Sequence, residues 1–224
     1  MSIYISHQND ITLDVYNRVV YDGETIEFAH DLLTSIDKSH SDFIDFLKSG
    51  STVYGSTTGS GAMVNDPVSQ SDWPERQYNA LVNHSAAIGK PLPYFVSRGI
   101  LFLRINALLS GHAAASVNLV NYMTNRLNEG FTPWVPSSGH GMDGETIPHT
   151  HMAQTLIGEG FLITPDGNKV SAKTYLEENS LSPFEPSRRD GGAMINGYGA
   201  SVAYAVHARR HLTCLLNHLT LVAA

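Results

Sequence analysis

Apolar residues recur at three- and four-residue steps along most of the chain, the spacing of one buried helix face. The pattern predicts a mainly α fold with few strands. Over residues 25–48 the apolar positions keep this spacing and Gly50 follows as a stop. This segment is therefore predicted to form one long helix, or two helices that meet near Ser39.

Glycine, proline and capping residues divide the rest of the chain into further predicted helices. Asp72 is a candidate N-cap ahead of Pro74, and Ser116 is a second candidate cap. The predicted helices cover residues 72–89, 94–110, 116–130 and 148–157. Residues 193–224 are also predicted to be helical, and the last helix covers residues 204–224. Residues 161–170 carry the clearest hairpin signal, with Asp166-Gly167 at the turn.

Composition limits the classes of protein that this chain can belong to. Its 224 residues are 42% hydrophobic, and we expect residues 1–224 to form a single domain. The net charge of −7 and the lack of a basic cluster argue against nucleic acid as a partner. With one cysteine, no signal-peptide pattern and no apolar run long enough for a membrane span, the prediction is a cytoplasmic protein without a membrane partner.

The predicted last helix stays apolar to its end, from Leu219 to Ala224. A short, partly buried and frayed end is one interpretation. The other is that a further subunit, or a missing second half, covers these side chains, because an apolar helix end normally packs against something.

Six short blocks follow one another along the chain: VYGSTTGSG at 53–61, QYNALVNHS at 77–85, LRINALLSG at 103–111, LNEG at 127–130 with PWVP at 133–136, HMAQTLIGEG at 151–160 and AMING at 193–197. In this order they resemble motifs of the aromatic amino acid ammonia-lyase and aminomutase family. The resemblance covers most of the chain and implies the N-terminal half of an ammonia-lyase-like helical bundle. Family enzymes are more than twice as long, so we expect a homo- or hetero-oligomer in which a chain supplies the missing C-terminal half.

The family's cofactor tripeptide is altered in this sequence. Members build methylidene-imidazolone (MIO) from Ala-Ser-Gly, and the resemblance places Met142, Asp143 and Gly144 at those positions. The central serine must lose its β-hydroxyl as water, and aspartate has no β-hydroxyl. The sequence therefore predicts a degenerate tripeptide and no cofactor.

The resemblance also implies site residues. Tyr54 matches the loop tyrosine that acts as a base, on a glycine-rich loop that includes Gly61 and suits a mobile lid over a small-molecule substrate. His84 matches a substrate-selectivity position, and Asn196 matches the asparagine that binds the MIO ring. Each has a structural alternative: a packed ring for Tyr54, a core histidine for His84 and a turn for Asn196.

Asp143 is the second candidate catalytic residue. It can give or take a proton; burial would favour the acid, whereas the N-terminus of the following helix would favour the carboxylate. A simple helix cap is the alternative. His140, His149 and His151 also suggest a metal site. However, His149 and His151 occupy positions i and i+2 of a predicted helix, so their side chains would point in different directions. No metal is therefore predicted.

Two functions remain open from the sequence. In the first, the chain is a MIO-independent lyase-type enzyme that uses Tyr54 and Asp143 for proton abstraction with dehydration, addition or cyclisation on a conjugated or aromatic carbonyl compound. In the second, it is a non-catalytic subunit that completes a split ammonia-lyase-like complex. A true aromatic amino acid ammonia-lyase comes third. Gln77 and Arg104 are expected to anchor helices through buried hydrogen bonds.

Overall fold

The computed structural model describes residues 2–140 and 145–223 of the chain. Helices dominate these residues, as the apolar spacing predicts. They are α1 (Leu13–Val20), α2 (His30–Lys48), α3 (Trp73–Asn83), α4 (Tyr94–Leu108), α5 (Val117–Asn128), α6 (Thr146–Leu156), α7 (Ala172–Glu178), α8 (Asp190–Ile195) and α9 (Gly199–Ala223). The helices predicted at 94–110, 116–130 and 148–157 correspond to α4, α5 and α6. The helix predicted at 72–89 corresponds to α3 but is wrong at its end, because α3 stops at Asn83 and Ile88–Pro91 is extended and pairs with Pro136–Ser138.

Six short strands pair into three two-stranded sheets within the described residues. They are β1 (Ser2–Ile5), β2 (Thr25–Phe28), β3 (Ile88–Pro91), β4 (Pro136–Ser138), β5 (Phe161–Ile163) and β6 (Lys169–Ser171). β1 and β2 are parallel, whereas β3 pairs with β4 and β5 with β6 in antiparallel fashion. The last pair is the predicted hairpin, and Gly167 adopts a positive φ of 81° at its turn.

The prediction of one helix over residues 25–48 is wrong at its start. Thr25–Phe28 is the strand β2, and the helix α2 begins at His30 and continues through Ser39 without a break. The side chain of Asn128, in α5, accepts a hydrogen bond from the Ile26 N–H and donates one to the Ile26 carbonyl. These tertiary bonds satisfy an extended backbone, and they override the local helical spacing.

The main hydrophobic core is built around α4, which the sequence predicts as a buried helix. Val96, Ile100, Ile105 and Leu108 of this helix are completely buried. They pack with apolar side chains of α1, α5 and α9 in one cluster. Burial on all sides makes α4 the central support against which the site-bearing elements pack.

The last helix, α9, starts earlier than predicted, at Gly199, after a break at residues 196–198 that separates it from α8. Its first turns pack on α4, where Ala200 and Ala203 are buried. Further along it exposes large apolar side chains: Leu212, Leu215, Leu216, Leu219, Leu221 and Val222. None of the described helices combines the length and apolar content needed to cross a bilayer.

Candidate active site

A cavity of about 470 Å³ lies between the glycine-rich loop, α3 and α8. Its wall combines phenol, imidazole, amide and guanidinium groups with the apolar side chains of Met63, Val68 and Trp73. The polar residues that line it are Tyr54, Ser56, Thr58, Ser60, Arg76, Gln77, Asn79, Asn83, His84, Thr146, Arg189 and Asn196. An enclosure with apolar walls and a few convergent polar groups is typical of a small-molecule site.

Tyr54 lies at the cavity on the glycine-rich loop. Its phenol oxygen accepts a hydrogen bond of 2.9 Å from the backbone N–H of Gly61. Gly61, at φ 59°, closes the loop back onto the ring. The Tyr54 side chain is 60% exposed, and its hydroxyl hydrogen has no acceptor among the described residues. The phenol is therefore held in place while its proton stays available for transfer.

His84 lies at the C-terminal end of α3 and is exposed to the cavity. Its Nδ1 is 2.9 Å from the Ala80 carbonyl, so Nδ1 carries the hydrogen and Nε2 is an acceptor in the neutral ring. The His84 carbonyl accepts from the Thr150 hydroxyl, which ties this end of α3 to α6. The core-histidine alternative is therefore wrong.

Asn196 follows the end of α8 and lines the same cavity. Its side-chain N–H donates to the Gly192 carbonyl at 2.8 Å, and its backbone carbonyl accepts from Arg104. The side-chain oxygen has no donor among the described residues. It is thus free to accept a hydrogen bond from a ligand.

The catalytic candidate Asp143 and its neighbours Met142 and Gly144 lie outside the described residues. The next residue, Glu145, is described. Its two carboxylate oxygens accept hydrogen bonds from the backbone N–H groups of Ala200 and Ser201, at 2.6 and 2.7 Å. This carboxylate caps the N-terminus of α9, where the helix dipole favours negative charge.

Two arginines at the cavity were not predicted from the sequence as site residues. Arg76 belongs to α3, and Arg189 immediately precedes α8. Neither pairs with a carboxylate among the described residues. The basic pair Arg188-Arg189 is visible in the sequence, but the family motifs give no sign of which of the two faces the cavity.

Gln77 and Arg104 make the predicted anchoring contacts. Gln77 is buried in α3, and its side-chain oxygen accepts from the Gly192 N–H at 2.9 Å. A Cβ placed on Gly191 would lie 2.7 Å from the Gln77 carbonyl oxygen, so the glycine lets α3 and α8 approach closely. Arg104, 5% exposed, joins α4 to the end of α8 through the Asn196 carbonyl.

A buried carboxylate fixes the start of α8. Asp190 is completely buried and accepts four hydrogen bonds, two from Ser116 and two from Ser187. Ser116 also caps α5 as predicted, because its hydroxyl accepts from the Leu119 N–H. Asp190 therefore sets the position from which the neighbouring Arg189 reaches the cavity.

The three histidines that suggest a metal point to different partners. The Nε2 of His151 accepts from the Ala87 N–H at 3.0 Å, whereas His149 contacts the Glu145 carbonyl and His140 contacts the Pro136 carbonyl. Burial lowers the pKa of His151 to about 4, which keeps the ring neutral. Within residues 2–140 and 145–223, no three potential ligands come together around a metal position.

The described residues form a mainly helical domain with a cavity of mixed polar and apolar lining. A family model described as aromatic amino acid lyase matches residues 11–224. The chain is 32% identical to the histidine ammonia-lyase of Geobacillus thermodenitrificans over 201 residues. This alignment covers 89% of the present chain and 40% of the histidine ammonia-lyase. It is 33% identical to the MIO-dependent tyrosine 2,3-aminomutase of Streptomyces globisporus, covering 84% of this chain and 35% of that protein.

Solved structures agree. The Pantoea agglomerans phenylalanine aminomutase superposes with a TM-score of 0.89 at 25% identity, over 97% of this chain and 42% of that chain. The tyrosine aminomutase of Streptomyces globisporus superposes with a TM-score of 0.82 at 31% identity, over 88% of this chain and 37% of that chain. The chain belongs to the aromatic amino acid lyase family. It spans about two-fifths of the length of these relatives and corresponds to the N-terminal part of the family fold.

Proposed function

We propose that this chain is a MIO-independent lyase-type enzyme that acts on a conjugated or aromatic carbonyl substrate, together with a partner chain that supplies the rest of the family fold. One observation carries the proposal: Tyr54, His84 and Asn196 line a single cavity. Thr146, two residues after the altered tripeptide, lines it as well. Three of the residues that the resemblance implies therefore line one cavity, which supports a small-molecule site.

The absence of MIO rests on the chemistry of the residues present. Asp143 has no β-hydroxyl to lose, so dehydration of this tripeptide cannot give a methylidene group. Asn196, which the resemblance assigns to the MIO ring, uses one of its two amide hydrogens for the Gly192 carbonyl. The tripeptide with Asp143 at its centre does not fit the cofactor, and no step of the proposed reaction passes through it.

Proton chemistry can replace the electrophile in an elimination of water. Tyr54 acts as the base and removes a proton next to the substrate carbonyl, and the electrons of that C–H bond form the new C=C bond. The C–O bond to the β-hydroxyl breaks as protonated Asp143 supplies a proton, so water leaves. Conjugate addition is the reverse of the same step, and an internal nucleophile in place of water gives cyclisation.

Hydrogen exchange tests the acid–base assignment even when the product is not identified. The chain is incubated in D₂O with a panel of aryl β-hydroxy and β-keto carbonyl compounds, and deuterium at the α-carbon is followed by NMR. We expect Tyr54→Phe and Asp143→Asn to abolish exchange, because each removes a proton-transfer group, with circular dichroism unchanged. Tyr198→Phe is the matched control, since that phenol is 75% exposed and outside the cavity. Full exchange in Tyr54→Phe would contradict the proposal.

A non-catalytic subunit of a split complex is the second candidate. It is favoured by the six large apolar side chains that α9 exposes between Leu212 and Val222. If this function is correct, Tyr54→Phe and Asp143→Asn are silent in every assay, whereas removal of residues 219–224 disrupts the complex. Co-purification of the full-length and shortened chains, read by size-exclusion chromatography, separates the two outcomes.

A true aromatic amino acid ammonia-lyase requires the missing electrophile. The intact mass of the purified chain decides this point directly. Formation of MIO would remove two waters from the backbone, and we expect the unmodified mass instead. A mass lower by two waters would restore ammonia-lyase activity as the leading function.

A further inference from the structure

We propose that His207 and His211 of α9 form a binding site for a divalent transition-metal cation of the Zn²⁺ class. Neither residue lines the cavity, so the site is separate from the proposed function. The pair lies at the point where α9 leaves the domain, because His207 is half-buried and every described residue after it is exposed. A cation held by both rings would tie together the turn of α9 that precedes its exposed apolar side chains.

The two imidazole rings bring the same nitrogen together. Residues i and i+4 of a helix lie on one face, and the Nε2 atoms of His207 and His211 are 3.1 Å apart. With Zn–N distances of about 2.0–2.1 Å, two nitrogens at this separation form an angle of about 100° at a shared cation. That angle is close to the tetrahedral geometry in which Zn²⁺ is usually bound.

The rings are not arranged as a straight hydrogen bond from one ring to the other. Their centres are 4.5 Å apart, and their planes are inclined by 74°. A straight N–H···N bond would place the ring centres roughly 5 Å or more apart, because each nitrogen lies about 1 Å from its ring centre. The contact is therefore bent, as two nitrogen lone pairs that meet at one cation require.

Tyr21, which follows α1, holds the ring of His207. Its hydroxyl oxygen is 3.2 Å from Nδ1 of His207, and the two rings stack with an angle of 5° between their planes. When Nδ1 donates its hydrogen to this oxygen, the lone pair of the neutral ring lies at Nε2, the nitrogen next to His211. Metal-binding histidines usually have such a partner on the second ring nitrogen. Burial, followed by His211 and Arg210, lowers the pKa of His207, which favours the neutral ring that binds metal.

The ligands select the kind of cation. Imidazole nitrogen suits Zn²⁺, Ni²⁺ and Cu²⁺, whereas Mg²⁺ and Ca²⁺ prefer oxygen ligands. Two protein ligands leave further coordination positions to water, since no three potential ligands come together among the described residues. Arg210 opposes binding, because its guanidinium lies 4.5 Å from the centre of the Tyr21 ring and adds positive charge beside the pair. We therefore expect a site of moderate affinity that Arg210→Gln strengthens.

Isothermal titration calorimetry of the full chain with ZnCl₂, at neutral pH and with a phosphine reductant, tests the site. We expect one Zn²⁺ to bind per chain and Mg²⁺ not to bind. His207→Gln and His211→Gln should each weaken Zn²⁺ binding by about a hundredfold or more, because one imidazole remains, and Tyr21→Phe by about tenfold. His112→Gln is the matched control, because that histidine is exposed and its ring makes no hydrogen bond to a described residue.

The absence of Zn²⁺ binding, or equal affinities of His211→Gln and His112→Gln for Zn²⁺, would overturn the proposal. The exposed thiol of Cys214 lies on the same helix, and Cys214→Ser should leave binding unchanged. Loss of binding in that variant but not in His211→Gln would assign the cation to the thiol instead of the histidine pair.

Hydrogen–deuterium exchange tests the link across the turn of α9. We expect saturating Zn²⁺ to slow amide exchange in residues 208–215 of the full chain, because a cation that joins two successive turns opposes local opening of the helix. The same segment of His211→Gln should exchange at one rate with and without Zn²⁺. Unchanged exchange in the unsubstituted chain with Zn²⁺ bound would contradict a cation shared by the two rings.

Discussion

Replacement of Asp190 by alanine is the sharpest test of how the site is held in place. Asp190 is completely buried and joins the start of α5 to the start of α8. Its carboxylate accepts from the Ser116 N–H and hydroxyl at 2.9 and 3.1 Å, and from the Ser187 N–H and hydroxyl at 3.2 and 2.9 Å. Alanine removes all four bonds at once.

The size of the effect follows from the donors that lose their partner. The two hydroxyls can rotate to other acceptors, and the N–H of Ser187, an exposed residue, can bond to water, but the Ser116 N–H is half-buried and fixed, and an unsatisfied buried group costs about 1–3 kcal/mol. With the space left by the carboxylate, we expect Asp190→Ala to lower the free energy of unfolding by about 2–4 kcal/mol. That is a large part of the roughly 5–15 kcal/mol that stabilises a typical domain.

Urea denaturation followed by circular dichroism measures this change. Asp42→Ala is the matched control, because Asp42 is an exposed carboxylate paired with Lys38 on α2, and such a pair contributes less than about 1 kcal/mol. Ser116→Ala is expected to be intermediate, and its effect should add only in part to that of Asp190→Ala, because both remove the bond between the Ser116 hydroxyl and the Asp190 carboxylate. A loss below about 1 kcal/mol for Asp190→Ala would refute the reasoning.

Three further predictions concern separate parts of the fold. Burial lowers the pKa of His151 from 6.5 to about 4, so the folded state binds fewer protons than the unfolded chain between these pH values. The free energy of unfolding should therefore fall by up to about 3 kcal/mol as the pH drops from 6.5 to about 4. His151→Gln should remove this pH dependence in urea titrations at about pH 4 and 7. Gly191→Ala should destabilise the chain by about 1–3 kcal/mol through its clash with the α3 backbone. Gly192→Ala should leave stability nearly unchanged, because its added Cβ would come within 2.9 Å only of a terminal nitrogen of the flexible Arg189 side chain. Equal effects of the two changes on the free energy of unfolding would contradict this geometry. The Leu215 side chain is 52% exposed, so Leu215→Glu should change the free energy of unfolding of the isolated chain by less than about 0.5 kcal/mol. The same change should prevent assembly with a partner chain, as measured by size-exclusion chromatography. Normal assembly would count against a role for α9.

The helices with strong local signals could be predicted from the sequence. α4 follows from a long apolar segment, and α5 from the Ser116 cap and the glycine after its end. The hairpin follows from Asp166-Gly167. The strand Thr25–Phe28 could not be predicted, because it depends on pairing with Ser2–Ile5, far away in the chain, and on the side chain of Asn128.

The residues of the candidate site also fall into those that the sequence predicts and those that only the structure reveals. Tyr54, His84 and Asn196 come from motifs, and the fold brings them to one cavity. Arg76 and Arg189 belong to no motif that the sequence exposes. They reach one cavity only because α3 and α8 pack closely together at Gly191, and the sequence does not show this contact.

The carboxylate of Glu145 links α9 to the wall of the cavity. It holds the first turn of α9 through two short bonds, and the next residue, Thr146, lines the cavity. A displacement of α9 along its axis would therefore be transmitted through this side chain to the N-terminus of α6. The helix that exposes apolar side chains is thus mechanically connected to one wall of the cavity through a single carboxylate.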